Sequence, residues 1–185
     1  EDLDPGAIYY LTPRGDYRKE QIIKQNIKNC FFEWNYIGHF DSIINTISVR
    51  KLRETLGEIL AEEFHPKANL VTYIPRCPEV AARSYAKKTN LPFIPIFFKI
   101  HSERSFLGST VEDREKSIKN NLHLLPHMKD KLKGKTVIVL DDSTVRGNNS
   151  MHTRKILYNE AKVKKAYLVN FTPPIGIIPK DNIPR

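Results

Sequence analysis

The chain has 185 residues, of which 40% are hydrophobic, 28% charged and 10% aromatic, and its 30 Lys and Arg against 21 Asp and Glu give a net charge of +9. That length and balance fit one globular domain and exclude disordered, collagenous and membrane-spanning classes, since no stretch approaches the ~20 consecutive apolar residues of a membrane helix. The positive charge suits phosphate-bearing partners as well as an ordinary lysine-rich surface, and the two cysteines, Cys30 and Cys77, are too few for a disulfide framework or a zinc site, which implies reduced thiols and a cytoplasmic location.

In chain order, the first residues, Glu1-Asp2-Leu3-Asp4, are acidic and start without Met, so a fragment or processed product is expected and no signal peptide. Ala7 to Leu11 reads as a short strand closed by a Pro- and Gly-containing turn. The polar stretch Lys19 to Lys28 suggests loop or frayed helix, and Cys30-Phe31-Phe32-Glu33-Trp34 has β character. From Ser48, a plausible N-cap, Val49, Leu52, Leu56, Ile59, Leu60 and Phe64 recur at spacings of three and four and predict a helix with those residues on one face. Asn69 to Ile74 is a strand ending at Pro75. Pro78 opens a second helix over Glu79 to Lys88, and Phe93 to Phe98 is strand-like, with Pro95 marking an edge or bulge. From Ile100 to Arg114 the sequence is polar and aperiodic, as expected of a functional loop. Thr136 to Leu140 is the strongest strand: continuous, β-branched and therefore buried on both faces. A loop from Asp141 to Asn149, a helix to about Lys162 and a last strand from Ala166 to Phe171 complete an α/β pattern with a mostly parallel sheet and helices on both faces.

Ligands in such sheets sit at the carboxyl ends of the strands. That rule points to Asp141, Asp142, Ser143, Thr144, Val145, Arg146, Gly147, Asn148, Asn149 and Ser150, where two acids end the central strand and a glycine-containing loop enters a helix. Amides at a helix start bind phosphate, and paired carboxylates beside them accept hydrogen bonds from sugar hydroxyls or hold a metal. An ordinary capped turn would not need two adjacent carboxylates. They are expected at an exposed strand end, clear of the core.

Val137 to Ser150, VIVLDDSTVRGNNS, resembles the phosphoribosyl pyrophosphate signature of type I phosphoribosyltransferases, and above all that of the amidophosphoribosyltransferases of purine synthesis. The similarity extends in order along the chain: Asp4-Pro5-Gly6-Ala7, CFFEWNYIGHFDS from Cys30 to Ser42, the helix positions Val49, Arg53, Gly57, Leu60 and Ala61, the loop residues Arg104, Ser105, Phe106, Arg114, Lys116 and Ser117, and Pro173-Pro174-Ile175. The resemblance implies a single phosphoribosyltransferase domain over residues 1–185, with a small hood. The family's N-terminal glutaminase and its C-terminal portion are expected to be absent from it. It further implies that Asp141 and Asp142 hold the ribose hydroxyls and Mg2+, that residues 143–150 cradle the 5′-phosphate, and that Arg104 closes over the pyrophosphate. The reaction would be displacement of pyrophosphate from C1 of the ribose by ammonia, with nitrogen supplied free or by a separate glutaminase. A homo-oligomer is expected and membrane attachment is not. Nucleic-acid contact is permitted by the charge.

The chain departs from the family at Pro75-Arg76-Cys77, where the pyrophosphate loop reads Pro-Asp-Ser or Pro-Asp-Thr, and at Asn148-Asn149, where it reads Thr-Thr. Only Cys30 matches a cluster ligand, so no iron–sulfur cluster is expected. Arg76 and Cys77, both candidate substrate contacts, leave three readings open: a working amidophosphoribosyltransferase-like enzyme, a catalytically weak or inactive phosphoribosyl pyrophosphate-binding regulator, and a purine-salvage phosphoribosyltransferase.

Overall fold

The structure, a computed structural model, describes residues 3–26, 28–100, 121–145 and 147–172. The chain divides into two compact units, residues 1–33 and 34–185. Among the described residues no helix is long and apolar enough to cross a membrane.

The first unit is built on an antiparallel hairpin of β1 (Ala7–Leu11) and β2 (Tyr17–Gln21), registered Ala7 to Gln21 and Leu11 to Tyr17. β2 corrects the expectation of loop or frayed helix from Lys19 onward, over its last three residues, Lys19 to Gln21. All five of its residues are exposed, so it carries no apolar alternation, and pairing with β1 alone makes it a strand. An ion pair between Lys19 and Asp4 ties it to the preceding segment.

The second unit centres on a parallel sheet in the order β5 (Leu70–Tyr73), β8 (Thr136–Asp141), β9 (Lys165–Asn170). β8 explains the layering. Val137 and Val139 face one core cluster, with Leu70, Leu132, Ile156 and Leu157. Ile138 and Leu140 face the other, with Ala81, Ala82, Tyr85 and Phe171. Successive side chains of a strand point to opposite faces, so a continuous apolar run is what a doubly covered strand requires. Each of these four residues has no solvent exposure, and burying each contributes about 1.5–3 kcal/mol.

Helices α1 (Val49–Glu63) and α2 (Glu79–Thr89) cover the second face. Ser48 caps α1 as expected, its Oγ accepting from the Lys51 N–H at 3.3 Å. The buried face of α1 is displaced from the predicted stripe: it is Val49, Arg53, Gly57 and Ala61, while Ile59 and Phe64 are 45% and 42% exposed. The reason is close helix packing. A Cβ at Gly57 would lie 2.2 Å from the Ala81 carbonyl oxygen, so only glycine lets α1 and α2 meet there. Between helix α1 and its N-terminal neighbours lie two short strands, β3 (Ile43–Ile44) and β4 (Ile47–Ser48). Upstream of them, Glu33–Ile37 forms one π-helical turn rather than the β segment expected from its aromatic run, with Trp34 and Asn35 buried.

The run from Phe93 to Phe98 is split at Pro95. Phe93 bridges Val71 of β5 in parallel, and β6 (Phe97–Lys99) instead pairs antiparallel with β7 (Leu122–Leu124). A short helix α3 (Lys129–Leu132) precedes β8. After β8, α4 (Asn148–Lys155) continues into a π-helical turn over Ile156–Glu160, and its inward residues Ile156, Leu157 and Ala161 are those expected.

Candidate functional site at the strand ends

β8 delivers Asp141 and Asp142 to the carboxyl end of the sheet. They do not sit in the open as expected: each is only 8% exposed. The strand runs between two cores, and its last turn of backbone is still covered. The Asp142 N–H donates to Asp141 Oδ1 at 3.0 Å, and Ser143 Oγ donates to Asp142 Oδ1 at 2.7 Å. No described Lys, Arg or His forms an ion pair with either carboxylate. Burial, reinforced by the neighbouring Asp142 charge, therefore pushes the Asp141 carboxyl up to about 8. Burial raises Asp142 too, against the opposing pull of the Ser143 hydroxyl and of Lys99.

The loop beyond them is set by its partners. Thr144 Oγ1 accepts from Asn170 Nδ2 at 2.7 Å, and the Thr172 N–H donates to the Asp142 carbonyl at 3.1 Å, so the end of β9 holds the loop. Val145 is 75% exposed. Gly147 has φ +76°, the left-handed region that disfavours any other residue, and a Cβ there would meet no atom within 4 Å. Conformation rather than crowding thus demands this glycine. It opens α4 without a side-chain cap, which leaves the first-turn amides of Asn148, Asn149 and Ser150 free of side-chain acceptors at the positive end of the helix.

The end of β5 supplies a second loop. Tyr73 and Glu79 brace it, the Tyr73 hydroxyl donating to Glu79 at 2.9 Å, and Arg83 grips the same carboxylate at 3.0 and 2.7 Å. Between them the Pro75–Arg76 peptide is cis. Arg76 is exposed. The Cys77 thiol donates to the Asn35 carbonyl at 3.0 Å, and burial together with the nearby Asp142 charge pushes it up to about 12, so it is held protonated.

Four residues of this region lie outside the predicted site set. Lys99, at the end of β6, is close enough for the charges of Asp141, Asp142 and Arg76 to act on it, and burial lowers its pKa. Arg53 is 2% exposed and donates to the carbonyls of Trp34 and Gly38, each at 2.9 Å. Asn35 Nδ2 donates to Thr172 Oγ1 at 3.1 Å. Asn170 lies beside Asp141 in the parallel register. Sequence signals existed for three of them: Arg53 and Asn35 lie in stretches that resemble the family, and Asn170 is a polar residue ending an apolar strand, in register with the acidic pair. Arg104 and Arg146, both predicted site residues, lie outside the described residues, as do Pro173 to Ile175 and the loop from 101 to 114.

The carboxyl ends of the strands thus bring together two buried carboxylates, the first-turn amides of α4 and the cations Lys99 and Arg76. Comparisons with known proteins show what the chain resembles. The chain is 31% identical over 176 residues to an amidophosphoribosyltransferase of Archaeoglobus fulgidus, covering 94% of this chain and 37% of that protein. It is 31% identical over 175 residues to a chloroplastic amidophosphoribosyltransferase of Vigna aconitifolia, covering 94% and 35%. Among solved structures, the glutamine phosphoribosylpyrophosphate amidotransferase of B. subtilis, complexed with ADP and GMP, superposes with TM-score 0.71 at 29% identity over 95% of this chain and 38% of that one. A structure described as the allosteric regulatory enzyme of purine biosynthesis gives TM-score 0.70 at 30% identity, covering 94% and 37%. No family model matches the chain.

The fold is thus the type I phosphoribosyltransferase fold. Within it, the chain is homologous to amidophosphoribosyltransferases, of which it spans little more than a third of the length.

Proposed function

We propose that this chain binds 5-phosphoribosyl 1-pyrophosphate and acts as the phosphoribosyltransferase portion of an amidophosphoribosyltransferase-like activity, with ammonia as the nitrogen donor. The buried Asp141–Asp142 pair carries the reading. Two adjacent buried carboxylates with no ion-pair partner among the described residues are costly unless hydroxyls or cations meet them. The ribose 2′ and 3′ hydroxyls are such donors. The amides of residues 147–150 suit the 5′-phosphate, and Lys99 and Arg76 suit the pyrophosphate. Magnesium fits the same donor set: Asp141 and Asp142 offer adjacent hard oxygen ligands, both buried. When bound, the ion would neutralise charge on the leaving pyrophosphate. The protein's own work is to position the ring and surround the departing anion with fixed cations.

Arg76 favours a second reading, a binder with slow turnover. A cation that holds pyrophosphate equally in substrate and product lowers both without lowering the barrier between them. At ~4 Å and an effective dielectric of 20, a single charge pair gains about 4 kcal/mol before desolvation is subtracted. The deciding experiment follows consumption of phosphoribosyl pyrophosphate with Mg2+ and ammonia, beside calorimetric binding of pyrophosphate. Tight pyrophosphate binding with a negligible rate supports the binder. A brisk rate supports the enzyme and makes Arg76 a tolerated variation. No binding of either ligand overturns both. Arg76→Asp with Cys77→Ser should weaken pyrophosphate binding and raise the rate.

A further inference from the structure

The amino ends of the parallel strands, opposite the acidic pair, carry a dense set of cations. Lys131, Lys133 and Lys135 lead into β8, and Lys162, Lys164 and Lys165 lead into β9; all six are exposed. The two runs are joined through their backbones. The Gly134 N–H donates to the Lys162 carbonyl at 2.9 Å, and the Lys164 N–H to the Lys135 carbonyl at 2.8 Å. The lysines therefore form one contiguous surface, although 27 or more positions separate the two runs in sequence. None of the six forms an ion pair with an acid among the described residues. Lys165 instead lies over the Tyr167 ring, 4.4 Å from its centre.

We propose that this pole docks the phosphate backbone of a nucleic acid without reading its sequence. Three observations select that ligand. All six cations are lysines, compact point charges that suit phosphates and lack the planar fork with which arginine reads guanine edges. The apolar residues interleaved with them point inward: Leu132 and Val137 have no exposure and Val163 only 6%, so the surface offers a membrane nothing to insert. The surface is also an exposed pair of chain segments, which suits an extended polyanion better than an enclosed small one. β8 spans six residues, Thr136–Asp141, which at about 3.3 Å per residue puts roughly 20 Å between this pole and the acidic pair. A bound polyanion would leave the strand-end site accessible.

The test uses the 185-residue chain and a fluorescently labelled 20-base-pair DNA duplex of mixed sequence, read by anisotropy from 50 to 200 mM NaCl. The wild type should bind with Kd of about 10⁻⁴–10⁻⁶ M near physiological salt, equally for a second, unrelated sequence. The slope of log affinity against log salt should be about −4 to −5, since each neutralised phosphate contributes about −0.9. Lys133→Glu with Lys135→Glu and Lys164→Glu should lower affinity at least tenfold and flatten the slope by about 3. Reversing Lys24, Lys51 and Lys87, an equal change of net charge elsewhere, should alter affinity less than threefold. Should the charge-reversed pole fail to fold, the same three positions changed to Gln must still flatten the slope by about 2 to 3. The proposal is overturned by a wild type that does not bind the duplex, by equal losses in the pole and control variants, or by binding to phosphatidylserine vesicles without binding to the duplex.

Discussion

At the carboxyl ends of β5, β8 and β9 the sheet buries two carboxylates that lack an ion-pair partner among the described residues; at the amino ends of the same strands it exposes six lysines. The two poles differ in what their charge costs. An exposed ammonium keeps its water, and crowding with its neighbours is screened within about 10 Å at ordinary salt. A buried carboxylate gives up its water, which favours its protonated form, and burial accordingly raises the pKa of both Asp141 and Asp142. A surface cluster can therefore be kept at little expense in stability, whereas the acidic pair is sustained only against one. The two poles thus differ by mechanism: partner-dependent burial at one end, salt-dependent attraction at the other.

Neutralising the acidic pole should have the largest effect. Asp141→Asn with Asp142→Asn should weaken phosphoribosyl pyrophosphate binding by about 10²- to 10⁴-fold, since each charge-assisted hydrogen bond contributes roughly 1.5–3 kcal/mol. Calorimetry that finds unchanged affinity removes the site from this end of the sheet. Lys99→Met should cost about 10- to 100-fold in pyrophosphate binding on the same scale. It should also raise the Asp141 titration further, because Lys99 is one of the influences holding it down. An NMR titration of the Asp141 carboxyl that fails to move upward would separate Lys99 from the pair.

The third test reads stability. In the fold, Asp141 takes its proton near pH 8, and unfolded near 3.8. Between those values the folded chain holds a proton that the unfolded chain has released, so stability falls as pH rises through the window. Asn at position 141 cannot ionise. Without divalent cation or ligand, Asp141→Asn should therefore melt higher than wild type at pH 8, on the order of 10 °C, with the advantage shrinking toward pH 4. A constant difference across pH would show that the carboxyl is not buried as described. Gly57→Ala lies at neither pole and serves as the contrast. Forcing a methyl against the Ala81 carbonyl should cost about 1–3 kcal/mol, equally at pH 5 and pH 8, in urea unfolding.

Much of this arrangement could be read from sequence, and the exceptions share a physical cause. β8 was legible because a strand covered on both faces must be apolar throughout, and the acidic pair was legible because it abruptly ends that run. The helix from Val49 was legible as a helix, but its buried face was not. Sequence periodicity weighs Leu52 and Ile59 above Gly57, while close helix packing ranks them the other way. β2 could not be found because every side chain it carries is exposed. The Phe31–Trp34 run suggested a strand because aromatic residues favour strands locally, whereas Trp34 and Asn35 enter the interior from a helical turn, which Arg53 clasps through the Trp34 carbonyl. Lys99 is invisible for a different reason. A lone lysine ending a three-residue strand has no pattern, and only its approach to Asp141 and Asp142 in space gives it meaning.

The two thiols described here have opposite environments, and that difference makes the chain addressable by chemistry. Maleimides and iodoacetamide react with the thiolate. Cys30 is exposed, whereas Cys77 is partly buried, protonated to about 12 and donating to the Asn35 carbonyl. At neutral pH a single equivalent of reagent should therefore place one fluorophore or spin label at Cys30 of the natural sequence, with no cysteine removed. A second equivalent taken up later would time the opening of the loop between Tyr73 and Glu79, and saturating pyrophosphate should delay it if that loop closes on the ligand.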